Sequence, residues 1–164
     1  MTCGDIISKV DKLEPNQYDT TQKLEWLSTL DGKIIDQVIR THGPIKAQPP
    51  HVSWPDPLVA GYKVWENVPI KKPPAPPHPD DEDEEKPEPK PPYHSPNDEL
   101  LIKDPYGSEI YQHWLQAKIH SENSEIVKYN QQTALFQAAY KEWTDQYNRT
   151  HMPLGPAGGN RFRY

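Results

Sequence analysis

The hydrophobic pattern is most regular in the stretch from Ser124 to Thr150. Mostly aromatic residues recur there every third or fourth position, at Tyr129, Thr133, Phe136, Tyr140, Trp143 and Tyr147. This spacing predicts an amphipathic helix of about 25 residues with one buried face. Ser124 is the expected cap of this helix, because its hydroxyl can accept a hydrogen bond from an unpaired backbone N–H.

Three further helices are predicted, near residues 2–14, 20–42 and 105–122. Thr2 and Asp5 have the spacing of a capping box, Asp19 or Thr20 precedes the second helix, and Asp104 caps the third with proline at its first position. The third helix turns near Asn123 into the long one. We therefore expect these two helices to pack as an antiparallel hairpin in an all-α bundle of about four helices.

The predicted core combines the aromatic row with the apolar side of the third helix. We expect this core to pack against the helix at residues 24–39, and we favour packed core over a ligand pocket. Its predicted members are Ile110, Trp114, Phe136, Tyr140, Trp143 and Tyr147.

The middle of the chain, residues 44–97, has a different composition. It contains sixteen of the twenty prolines and an unbroken run of six acids from Asp80 to Glu85. Such a segment is expected to be extended or disordered rather than helical. A short hairpin from about Leu58 to Val68 is the one regular element that its pattern allows. The predicted organisation is thus N-terminal helices at 1–43, this insert at 44–97, the helical hairpin at 98–150 and a C-terminal arm at 151–164.

The arm at residues 151–164 is rich in proline and glycine, which precludes a helix. It ends in two arginines that alternate with two aromatic rings, and these residue types dominate interface hot spots. A frayed terminus is the alternative interpretation. If the arm is an anchoring peptide, the residues expected to make contact are His151, Met152, Pro153, Leu154, Asn160, Arg161, Phe162, Arg163 and Tyr164.

Charge and side-chain chemistry argue against several functions. The net charge of −6 disfavours general affinity for nucleic acid. The single cysteine, Cys3, excludes an intrachain disulfide. His113 and His120 could share a helix face, but no third ligand lies near them, so a surface or core pair is favoured over a metal site. There is no apolar run long enough for a membrane span. We expect no enzyme and no cofactor.

A longer ordered set of residues resembles a known family. The set begins with Leu30-Asp31-Gly32-Lys33-Ile34 and continues with Leu100-Leu101-Ile102, Pro105-Tyr106, Ile110-Tyr111, His113-Trp114-Leu115, Ala117, Ile119, Glu125, Lys128-Tyr129-Asn130, Leu135-Phe136, Ala138-Ala139-Tyr140 and Tyr147-Asn148-Arg149-Thr150-His151-Met152-Pro153. It is similar to the head–tail adaptor (connector or head-completion) proteins of tailed bacteriophages. The resemblance covers roughly residues 1–43 and 98–153, and the proline-rich insert lies outside it.

The resemblance implies a structural virion protein that forms a ring, usually a dodecamer, in the phage neck. Such a ring binds the portal, extends the DNA channel and docks the next neck or tail protein, while the DNA passes through without specific binding. It also implies that the arm residues named above bind the portal. The protein would be made in the host cytoplasm and would require no membrane. The alternative is a soluble peptide-binding or scaffolding module that acts through its proline-rich loop. A role in nucleic-acid processing is disfavoured by the charge.

Overall fold

The computed structural model describes residues 1–45, 58–59 and 93–153, and it confirms the all-α class. Its elements are α1 (Cys3–Leu13), α2 (Thr20–Gln37), a short 3-10 helix (Ile39–Thr41), β1 (His42–Ile45), α3 (Tyr106–Glu122), α4 (Ile126–Thr150) and β2 (His151–Pro153). Among the described residues, no helix combines the length and the apolar character needed to cross a membrane. The possible hairpin at 58–68 lies outside the described residues except for Leu58 and Val59.

The first two helices begin where the sequence predicts. Thr2 and Asp5 form the capping box, with the Thr2 N–H donating to Asp5 Oδ2 at 2.9 Å and the Asp5 N–H donating to Thr2 Oγ1 at 3.2 Å. Asp19 caps α2 by accepting from the Gln22 N–H at 2.7 Å. However, α2 ends at Gln37 rather than near residue 42, because the chain there passes through the 3-10 helix into β1.

The starts of α3 and α4 differ from the prediction. Asp104 does not cap α3, since Pro105 occupies the cap position and no side chain caps this helix. Ser124 does not cap α4 either: its φ of 59° places it in the left-handed region, within the turn that joins the two helices. The α4 cap position falls on Glu125, whose carboxylate is occupied by His120 and Lys128 instead of the helix backbone.

The described chain resumes as packed structure at Tyr93, several residues before the predicted end of the insert. Tyr93 is buried, and the following residues pair with the start of α1. The Cys3 N–H donates to the Asp98 carbonyl at 2.9 Å, and the Gly4 N–H donates to the Pro96 carbonyl at 2.7 Å. Residues 93–97 thus belong to the body of the protein.

Two short strands close the other end of the body. β1 pairs antiparallel with β2, with His42 opposite Pro153 and Ile45 opposite His151. This pairing joins the end of the α2 region to the end of α4. It also means that His151, Met152 and Pro153 are part of the body, in contrast to the prediction that a free arm begins at residue 151.

The core lies between α1, α2, α3 and the segment at 100–102, and α4 adds its C-terminal half. The largest fully buried side chains include Trp143, Tyr111, Ile6, Leu27, Ile34, Ile35, Leu100, Leu101, Ile102, Ile110 and Leu115. Within α4, only Trp143 and Tyr147 are buried. The reason is that α4 packs mainly along α3, whereas α1, α2 and α3 all contact one another.

The core prediction is therefore correct for three residues and too strong for the other three. Ile110, Trp143 and Tyr147 are buried. Trp114, Phe136 and Tyr140 pack against the core but keep part of their surface exposed. A helix with a single helical neighbour covers only part of a wide aromatic row, so the outer members of the row remain at the surface.

Candidate functional site

The predicted arm begins at a firmly packed point. The His151 ring is buried and stacks on the Tyr147 ring with 3.7 Å between centroids. The His42 ring contacts the Tyr147 ring edge-on, with 5.6 Å between the ring centroids. Met152 is 47% exposed, and Pro153 is exposed as well. The described chain ends at Pro153, and the remaining predicted contact residues, Leu154, Asn160, Arg161, Phe162, Arg163 and Tyr164, lie outside the described residues.

Six rings form a continuous ladder from the hairpin surface to β2. Successive centroid distances are 5.3 Å, 5.7 Å, 6.0 Å, 5.2 Å and 3.7 Å, in the order Trp114, Phe136, Tyr140, Trp143, Tyr147 and His151. Aromatic pairs at these distances add stability beyond the burial of their area. The ladder therefore connects the buried end of α4 with a half-exposed aromatic surface.

Trp114 is the centre of this surface. Its indole N–H donates to the Trp26 carbonyl at 2.9 Å, which fixes the ring against α2. Lys33 Nζ lies 5.9 Å from the centroid of the ring, and Lys118 Nζ lies 5.1 Å from it. Both ammonium groups are within the range of cation–π attraction. We call Lys33, Trp114, Lys118, Phe136 and Tyr140 together the Trp114 face.

A second cluster is buried around Asp31 of α2. The Tyr111 hydroxyl donates to Asp31 Oδ1 at 2.6 Å, and the Tyr93 hydroxyl donates to Oδ2. Each hydroxyl also accepts a backbone N–H, from Leu101 to Tyr93 at 3.1 Å and from Ile102 to Tyr111 at 3.0 Å. The cluster thus holds the segment at 100–102 against α2 and α3 through hydrogen bonds that leave no member unpaired.

Burial dominates the ionisation of this cluster. It raises the pKa of Asp31 to about 7, although the Tyr111 and Tyr93 hydroxyls and the Leu101 N–H favour the carboxylate. Burial and the nearby Asp31 charge also raise the pKa of Tyr111 well above its usual value, so its hydroxyl remains a donor. Because every group is already engaged in holding the chain together, the cluster has the character of a structural element rather than of a reaction centre.

The other candidate chemical groups are also engaged in packing. Burial, with Asp31 and Asp98 nearby, raises the pKa of the Cys3 thiol to about 12, and a thiol held protonated is a poor nucleophile. His113 Nδ1 lies 2.8 Å from Gln132 Oε1. In the described ranges, 1–45, 58–59 and 93–153, no group of three or more potential ligands is arranged to hold a metal ion.

His120 joins three helices. Its Nδ1 lies 2.6 Å from Glu125 Oε2, at the start of α4, and its Nε2 lies 3.1 Å from Glu14 Oε2, at the end of α1. Lys128 and His120 hold the pKa of Glu125 below its usual value, and Lys128 is the stronger cause. His113 and His120 therefore contact different partners, Gln132 for His113 and two glutamates for His120.

The sequence interpretation did not predict the buried cluster around Asp31 or the placement of Lys33 and Lys118 at one ring. Asp31 carried a usable signal, because it lies in the apolar row of α2 with Leu27 and Ile34, where a carboxylate must find partners. Lys33 and Lys118 carried none, since only the packing of α2 on α3 brings them to one ring.

Comparisons of this chain with protein families, with curated proteins and with solved structures found no match.

Proposed function

We propose that this protein is a head–tail adaptor of a tailed bacteriophage, a structural virion protein that forms a ring in the neck. In this role it binds the portal, extends the DNA channel and docks the next neck or tail protein. The observation that carries the proposal is the ordered residue pattern of Leu30–Ile34 and of residues 100–153. A conduit needs interfaces rather than a reaction centre, so the proposal requires no catalytic group.

The positions of the patterned residues support this proposal. The two parts of the pattern, separate in sequence, meet in the fold, where Tyr111 of the second part donates to Asp31 of the first at 2.6 Å. The same pattern continues through α3 and α4 as one hairpin and ends with β2. A residue set that encodes one connected structural unit is better support for a family resemblance than the same residues scattered over a surface.

The root of the arm supports the proposed contact with the portal. β2 is paired with β1 and packed through His151, so the residues that precede the arm are held firmly to the body. The eleven residues from 154 to 164 reach at most about 35–40 Å when extended. Arg161 and Arg163 can each bind a carboxylate through two hydrogen bonds. Arms on one ring would act together, so modest affinity per arm suffices.

Truncation after Pro153 tests the arm. We expect the truncated protein to keep its fold, because β2 and its pairing with β1 are retained, and to lose attachment to portal rings in co-purification. Phage that carry it should produce DNA-filled heads without tails. The melting temperature controls for folding. A truncated protein that co-purifies with portal at the wild-type level would show that the arm is a frayed end.

Oligomeric state tests the ring. We expect light scattering and electron microscopy of the protein mixed with portal to show rings, with a dodecamer as the expected copy number. The rival function, a peptide-binding or scaffolding module, is favoured by one observation, the half-exposed Trp114 face with its two lysines. Such a module should stay monomeric at all concentrations, with or without portal, and that result would reject the adaptor.

A further inference from the structure

We propose that the Trp114 face binds the acidic, proline-rich segment of its own chain, at residues 73–92. This inference does not depend on the adaptor function. It concerns a surface that the structure describes and a segment whose composition is given by the sequence.

Positive charge is concentrated at the Trp114 ring. Several described cations are engaged by carboxylates: Lys23 with Asp11 at 2.6 Å, Lys128 with Glu125 at 2.8 Å, and Arg40 with Asp36. Lys33 and Lys118, like Lys9 and Lys12, have no ion-pair partner in the part of the chain that the structure describes. They extend from two different helices to the same indole ring. In a chain of net charge −6, this juxtaposition places two positive charges at one aromatic ring.

The surface between and beside these cations is aromatic. Trp114, Phe136 and Tyr140 each expose part of a ring, and the Phe136 and Tyr140 rings are nearly parallel, with an interplanar angle of 8°. Proline-rich peptides dock on surfaces lined by aromatic rings. The face therefore combines sites for proline rings with sites for carboxylates.

The segment at residues 73–92 has the matching composition. Its six consecutive acids, Asp80 to Glu85, lie between one proline tract at 73–79 and another at 87–92. The acids can pair with Lys33 and Lys118 while the flanking prolines contact the rings. Proline-rich chain loses little conformational freedom when it docks in an extended form, so such a contact needs few favourable interactions.

The attachment point of the segment favours its own chain over a neighbouring copy. Tyr93 directly follows the segment, and its hydroxyl donates a hydrogen bond to Asp31 of α2. Lys33 lies on the same helix. Extended chain covers about 3.1 Å per residue, so Glu85 can lie up to about 25 Å from Tyr93. A helix is only about 10–12 Å wide. The acids can thus reach the Trp114 face, and the short tether gives a millimolar effective concentration.

The decisive experiment follows the indole N–H signal of Trp114 by NMR in the full-length protein. Converting Asp80 to Glu85 to the corresponding amides should shift this signal, because it removes the carboxylates from the face. The same conversion should cause no shift in a Lys33→Ser/Lys118→Ser background. It should still cause the full shift in a Lys12→Ser/Lys141→Ser background, which has the same net charge but an intact face.

Carbodiimide cross-linking of a mixture of isotopically light and heavy protein gives a second readout. We expect the carboxylates of residues 80–85 to link to Lys33 or Lys118 several-fold more often than to Lys9, Lys12 or Lys141, and within one chain. Cross-links spread evenly over these lysines would overturn the proposal. An indole N–H signal that does not shift when the six acids are converted to amides would overturn it as well. Mixed light–heavy cross-links would assign the segment to a neighbouring copy and would equally reject the proposal.

Discussion

Replacing Asp31 with alanine is expected to lower the free energy of unfolding by about 3–5 kcal/mol. The substitution leaves the hydroxyl protons of Tyr93 and Tyr111 facing a site with no acceptor, while the Leu101 N–H keeps the Tyr93 hydroxyl as its acceptor. All of these groups are buried, so bulk water does not reach them in place of the lost partner. The measurement is urea denaturation of both proteins near pH 6.

Asp36 provides the matched control on the same helix. Its side chain is 65% exposed and pairs with Arg40 at the surface, so Asp36→Ala should change the stability by less than about 1 kcal/mol. If Asp31→Ala were no more destabilising than Asp36→Ala, the hydrogen-bonded cluster would not hold the segment at 100–102 in place.

The same cluster predicts a pH dependence of stability. The pKa of Asp31 is raised from 3.8 to about 7 in the folded protein, so the native state retains a proton that the unfolded chain releases. The contribution of Asp31 to stability is therefore full below about pH 4 and falls as the pH rises to about 7. Above that pH it is constant again. Asp31→Asn should remove this decline, which denaturation at pH 5 and pH 8 would reveal as a smaller stability difference than in the wild type.

Replacing Trp143 with alanine is the second substitution with a large expected effect, about 3–5 kcal/mol. Trp143 has no exposed surface and lies between Tyr140 and Tyr147, with ring centroids at 6.0 Å and 5.2 Å. Its loss would open a cavity in the middle of the ring ladder and release the buried end of α4. The melting temperature and the free energy of unfolding measure this effect.

Two related substitutions separate cavity formation from loss of an aromatic contact. Phe136→Ala should cost less, because Phe136 is only partly buried. Trp143→Phe should cost far less than Trp143→Ala, because the indole N–H has no hydrogen-bond partner in the described part of the chain, so no bond is lost. Equal losses for Trp143→Ala and Phe136→Ala would contradict the view that α4 is anchored through its C-terminal half.

Local signals predicted the helices well because their causes lie within a few residues. The partners in the Thr2–Asp5 and Asp19–Gln22 contacts are three residues apart. A short stretch of sequence therefore contains both partners of each cap. The packing of α3 and α4 as a hairpin was also predictable, because the helical periodicity and the short connection between the two helices are both local features.

The errors arose where contacts made in the folded protein, rather than the local pattern, decide the outcome. Glu125 lies at the α4 cap position, but His120 and Lys128 occupy its carboxylate. Tyr93 is buried because Asp31, far away in sequence, binds its hydroxyl. His151 was assigned to an arm because nothing local shows that β1 will pair with it. The Trp114 face shares this origin, since its two lysines meet only when α2 packs on α3.

The pairing of β1 with β2 also determines how tension would travel through the molecule. A pull applied at residue 154 acts first on the β1–β2 pair, because β2 continues directly into that residue. The load then passes to α4, whose 25 residues form a rod about 37 Å long. Since α3 packs along this rod, the force is shared by many contacts of the hairpin. The strand pair and the hairpin thus transmit force along one path from Pro153 to the core around Trp143.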